Sequence, residues 1–131
     1  MEYVVIVTGI ALLQYTWFSF YVGIMRGKHG VSAPKMQGHD DFERAYRIQQ
    51  NTLEQLLVFL PAMWMYAWYS KPVWAAVVGV VFIISRQVYR ESYQRDPASR
   101  GKGFVVGFVA TMYLLIGGMI AAGMDLYARL G

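Results

Sequence analysis

Cysteine is absent from the chain. That excludes a disulfide framework, a thiolate metal site and a cysteine nucleophile, and it leaves the redox compartment unread. Histidine is scarce: His29 and His39 share one polar loop without ligand-like spacing. No metal site is expected from them, and both read as solvated loop residues. Charge is scarce as well. Only 15% of the 131 residues are charged, against roughly 25% in ordinary soluble domains. What fills the space is apolar: 56% of the residues, with a mean hydropathy of +0.33. The charges that remain are bunched, and the net charge of +4 comes from loops between apolar runs. In a bilayer such residues set topology, so no nucleic-acid partner is expected. The length allows one domain.

Four apolar stretches predict four helices, at about 3–26, 40–70, 72–95 and 102–129. The first, Val4 to Met25, carries no charge and suffices to cross a core of about 30 Å at 1.5 Å per residue. A cleaved signal peptide is the rival reading, but Met1-Glu2 provides no basic n-region, so the segment is expected to be retained. The segment from Arg26 to Asp41 is a polar loop, with Asp40 or Asp41 expected as the N-cap of the second helix. That helix starts polar, ends apolar and contains Pro61, where a kink is expected. The third must continue past Ile84 through Arg86, Tyr89 and Tyr93 to be long enough. The fourth is rich in glycine, which permits close helix packing in lipid. The expected fold is all-α: an integral membrane four-helix up-down bundle. Arg26, Lys28 and Lys35 in the first loop, and Arg95, Arg100 and Lys102 in the third, place loops 1 and 3 in the cytoplasm and both termini outside.

Polar groups inside membrane helices are costly and usually face a bundle interior or cavity. At about 100° per residue, Glu43, Arg47, Asn51 and Glu54 share a stripe on the second helix, with Gln49 opposite. Arg86, Tyr89, Arg90 and Tyr93 form a second stripe on the third. The structural reading is a set of ion pairs, Glu43–Arg47 and Glu54–Arg86, that hold the helices in register. The functional reading is a polar pocket suited to a ligand with carboxylates, amides and an ammonium group, such as a small peptide. For Tyr89 and Tyr93 a place in the interfacial aromatic belt is the competing role.

The run Glu43-Arg44-Ala45-Tyr46-Arg47-Ile48-Gln49-Gln50-Asn51-Thr52-Leu53-Glu54, followed by Phe59-Leu60-Pro61, resembles the signature of the MAPEG family, the membrane-associated proteins in eicosanoid and glutathione metabolism. The resemblance extends to Arg26 and Val31-Ser32 before it, to Arg86, Tyr89, Tyr93, Arg95 and Arg100 after it, and so to nearly the whole chain. It implies a homotrimer with glutathione between neighbouring subunits near the cytoplasmic face. Arg47, Asn51, Glu54, Arg86, Tyr89 and Tyr93 would hold the tripeptide from one subunit, and Arg26 and Gln49 from the next. Arg100 would stabilise the thiolate, with Tyr93 as helper. The implied activity is that of a microsomal-type glutathione transferase or peroxidase, a detoxification enzyme acting on a lipophilic small-molecule substrate taken from membrane lipid. Trp17, Phe20, Phe108 and Tyr113 would line the lipid side, although plain lipid contact is the simpler reading for such aromatics. The chain departs from the family pattern at Gly27 and Arg90, which bears on the second substrate or its route of entry, and at Gln55, which bears on one contact to the ligand.

Two rivals remain. One is a non-catalytic lipid-binding or lipid-presenting member of the same family; Arg47, Asn51, Glu54, Tyr93 and Arg100 together oppose it. The other is a proton-coupled small multidrug exporter, which needs an acid deep in its first helix, and Tyr3 to Met25 contains none. With no retrieval signal at Leu130-Gly131, a bacterial inner membrane is favoured, with a reticulum membrane as the alternative.

Overall fold

The computed structural model describes residues 1–131. Its helices are α1 (Glu2–His29), α2 (Asp40–Tyr69), α3 (Pro72–Arg95) and α4 (Gly101–Leu130), with one 3-10 turn at Pro97–Ser99. This is the all-helical up-down bundle expected. α2 and α3 form its middle, with α1 packed on one side of the pair and α4 on the other. The interior centres on Phe59 and Phe82, whose rings stack at 3.8 Å, with Val4, Val7, Ala11, Ala110 and Leu114 around them.

The outside is as apolar as the inside. Leu13 and Leu57 are both 69% exposed, and Val109 is 60% exposed. Water would not tolerate so continuous an apolar surface; hydrocarbon does. α1, α3 and α4 are each long and apolar enough to cross a membrane. α2 differs. Its 30 residues reach about 45 Å at 1.5 Å per residue, so its charged first turns extend beyond the depth that its apolar half occupies. The helix runs unbroken through Pro61.

α1 ends where Gly30 adopts φ 67°, a left-handed conformation that glycine takes without strain. Val31 N–H then bonds back to the Arg26 carbonyl at 3.0 Å, closing the helix end. The start of α2 corrects an expectation. Its N-cap is His39, whose Nδ1 accepts from Asp41 N–H at 3.1 Å. Asp40 and Asp41 sit inside the first turn instead, where carboxylates complement the helix dipole.

At the same end of the bundle the start of α4 lies almost in backbone contact with α3. A Cβ on Gly103 would stand 2.7 Å from Tyr89 N and 2.9 Å from Ser85 O. This close approach holds the first turn of α4, and with it Arg100, beside Tyr89 and Tyr93.

Candidate functional site

Three helices each contribute residues four apart, which face one way on a helix. Arg47 and Asn51 come from α2, Tyr89 and Tyr93 from α3, and Arg100 and Phe104 from the start of α4. Together with Gly101 and Val105 they line an open cleft of about 410 Å³, within the size range of small-ligand pockets. Tyr89 ties the three helices, its ring 5.6 Å from that of Tyr93 and 6.4 Å from that of Phe104. The Arg100 guanidinium stands 5.8 Å from the Tyr93 ring and donates to the Pro97 carbonyl at 2.7 Å.

Beneath the cleft lies Arg86, only 1% exposed. Its Nη2 donates to Asn51 Oδ1 at 2.8 Å and to Thr52 Oγ1 at 2.9 Å, and its guanidinium stacks on Tyr89 at 4.2 Å. Arg86 therefore belongs to the bundle interior and does not line the cleft. Its effect passes through Asn51: with the amide oxygen engaged, the Asn51 NH₂ is the group left to bind a ligand. Arg47, by contrast, is exposed and makes no ion pair in the chain.

The remaining expected residues lie elsewhere. Glu54 is exposed and outside the cleft lining. Gln49 faces α1, donating to Tyr15 Oη at 3.3 Å and Ser19 Oγ at 3.1 Å. Arg26 donates to the Lys35 carbonyl at 2.6 Å and lies 4.7 Å over Phe42. Neither expected ion pair forms. Glu43 accepts instead from Gly38 N–H, and Arg86 binds neutral oxygens. The purely structural reading of the stripes thus loses its own contacts. Gly101, Phe104 and Val105 escaped the sequence reading; for Phe104 the available signal was an aromatic four residues after Arg100.

Further from the bilayer, His29 and His39 are not free loop residues. Their rings stack at 3.6 Å, and His29 Nε2 lies 3.9 Å from Asp41 Oδ2. Ligand-type atoms of His29, His39 and Asp41 fall within 4.8 Å of one another. The rings are nearly parallel at 13°, so their in-plane lone pairs do not converge on one point. His39 Nδ1 is already spent on the helix cap. The cluster is a clasp between the end of α1 and the start of α2.

Bundle and cleft together define an integral membrane protein with a polar cleft among apolar helices. The chain belongs to the MAPEG family, whose sequence model matches residues 4–120. An uncharacterized protein of Synechocystis is 38% identical over 116 residues, covering 88% of this chain and 85% of its own. Microsomal glutathione S-transferase 2 of Bos taurus is 37% identical over 95 residues, 72% of this chain and 65% of that one. Leukotriene C4 synthase of Cavia porcellus is 35% identical over 94 residues, again 72% of this chain and 63% of its own length. The chain thus spans just under two thirds of the length of these two mammalian relatives.

Proposed function

We propose that the chain is a glutathione-dependent membrane enzyme that conjugates the tripeptide to lipophilic electrophiles or uses it to reduce lipophilic hydroperoxides. The observation that carries this reading is the convergence of Arg47, Asn51, Tyr89, Tyr93 and Arg100 on one cleft. The donor set fits the molecule: the Arg47 guanidinium for a carboxylate, the Asn51 NH₂ for a peptide carbonyl, and Arg100 with the tyrosine hydroxyls for a thiol. When bound, glutathione supplies the sulfur nucleophile. A free cysteine thiol has a pKa of about 8.5, so little of it is ionised at neutral pH. Arg100 lines the cleft from an exposed position; a cation beside the sulfur favours the anion, and shifts of about 1–3 units are ordinary for such a neighbour. Phe104 stacks towards Phe108 at 6.2 Å. Phe108 in turn lines an apolar groove of about 630 Å³ with Tyr66, Met112 and Tyr113. An acceptor dissolved in the bilayer reaches the sulfur along that aromatic path.

Arg26 and Gln49 lie on the α1 side of the chain, away from the cleft. In the homotrimer proposed here they reach the cleft of a neighbouring subunit, and Glu54 closes the same junction. The membrane proposed is a bacterial inner membrane, with loops 1 and 3 cytoplasmic. A turnover screen with glutathione against electrophiles and lipid hydroperoxides tests the reading. Product from at least one class is expected. No turnover, together with no calorimetric glutathione binding, overturns it.

A further inference from the structure

α3 and α4 carry a second apolar groove, beside the one proposed for the acceptor and sharing Val109 and Tyr113 with it. Two hollows of about 430 and 270 Å³ share Val81 and Val106 and so form one channel between the helices. Its walls are β-branched, Val77 and Ile84 from α3 and Val109 from α4 among them, and such side chains are stiff. α4 sits so close because of its glycines. A Cβ on Gly103 would meet the α3 backbone at 2.7 Å, and one on Gly107 would meet Ser85 Oγ at 2.6 Å. One end is closed by Trp74, whose Nε1 donates to Tyr113 Oη at 2.8 Å. The other end is Lys102. That lysine has no anionic partner: the ion pairs of the chain are Met1–Glu2, His29–Asp41 and Arg90–Glu91.

The dimensions match a lipid. Lys102 to Tyr113 is about 16 Å along α4 at 1.5 Å per residue, close to half of a hydrocarbon core of about 30 Å. A cation at interfacial depth thus stands at the mouth of a predominantly apolar channel as deep as one leaflet. We propose that this groove holds an acyl chain of an anionic phospholipid, with the headgroup phosphate on Lys102. Any lipid gains the apolar walls, but only an anionic headgroup gains the lysine. The inference does not depend on what the polar cleft binds.

Native mass spectrometry of the full chain tests it, using phosphatidylglycerol and phosphatidylcholine of identical acyl chains. The wild type should retain one phosphatidylglycerol per chain, with about a fivefold preference, the worth of one basic residue at an anionic surface. Lys102→Gln should erase the preference while still retaining lipid. Val106→Trp, which fills the shared part of the channel, should lose both lipids; if it fails to fold, Val81→Phe carries the same arm from the opposite wall. Arg95→Gln removes an exposed cation outside the groove and should change nothing. Equal losses from Arg95→Gln and Lys102→Gln indicate diffuse attraction and overturn the proposal. So does undiminished retention in a folded, groove-filled variant, or a wild type that retains neither lipid.

Discussion

Arg86 is a cation inside the bundle with no carboxylate beside it. Burial of such a group is costly unless hydrogen bonds replace its water; here Asn51 and Thr52 supply acceptors to Nη2, while the buried Nε has none. Asn51 therefore has two duties and Arg47 one. Arg47→Ala should weaken glutathione binding by tenfold or more, because a hydrogen bond to a charged group contributes about 1.5–3 kcal/mol, and Asn51→Ala by about two- to tenfold, because a neutral one contributes about 0.5–1.5 kcal/mol. Only Asn51→Ala should also lower the unfolding temperature, since it leaves the buried guanidinium short of an acceptor. Calorimetric titration and thermal unfolding in detergent separate the two effects. Unchanged affinity in both variants would remove α2 from the site. At this scale the polar residues of the cleft were legible, because a charged or amide side chain in an apolar helix needs a reason. Val105 was not, since an apolar residue in an apolar helix carries no such signal, and Phe104 offered only its spacing of four from Arg100. Nor did periodicity separate Arg86, under the cleft, from Tyr89 and Tyr93, which line it: all three share one stripe, and depth does not show in spacing.

Among the elements, the junction of α3 and α4 is the least forgiving. A methyl group on Gly103 meets backbone atoms of α3, which cannot rotate away. Gly103→Ala should thus force α4 outward and destabilise the bundle by about 1–3 kcal/mol, the usual range for overpacking. Arg100 and Phe104 would move with it, so glutathione affinity should fall too. Gly27→Ala is the control, because open space surrounds that position within α1; it should leave the unfolding temperature unchanged or slightly raised, since alanine is the better helix former. A Gly103→Ala protein as stable as the wild type would contradict the packing described. The helix spans were legible from long apolar runs and loop charges. The start of α2 was not. Residue preference pointed to an aspartate, and the stack of His39 on His29 places a histidine at the cap instead. That contact joins residues across a loop, which local pattern does not encode.

For the whole molecule, the absence of native cysteine makes orientation simple to measure. Lys35→Cys and Lys71→Cys place single thiols in the first and second loops. In intact cells an impermeant maleimide should label the second and spare the first, if the basic loops face the cytoplasm. The reverse pattern would invert the topology. The bundle was legible at this scale because the membrane leaves helices few alternatives. The proposed trimer rests on family resemblance and on Arg26 and Gln49 facing away from their own cleft, so it needs its own test: cross-linking in mild detergent should give trimers, and a ladder ending at dimers would refute them.

The central claim is that the cleft holds glutathione as a thiolate beside Arg100. Ultraviolet thiolate absorbance of the bound tripeptide, titrated against pH, measures this directly. In the wild type the thiolate should appear well below the pH at which free glutathione ionises. In Arg100→Ala it should appear about one to two units higher than in the wild type. That shift corresponds to about 1.4–2.7 kcal/mol and a ten- to hundredfold smaller thiolate fraction at neutral pH. Because the cation lowers the thiol pKa, raising the pH should restore turnover in the variant. Identical titration of wild type and variant would contradict the account.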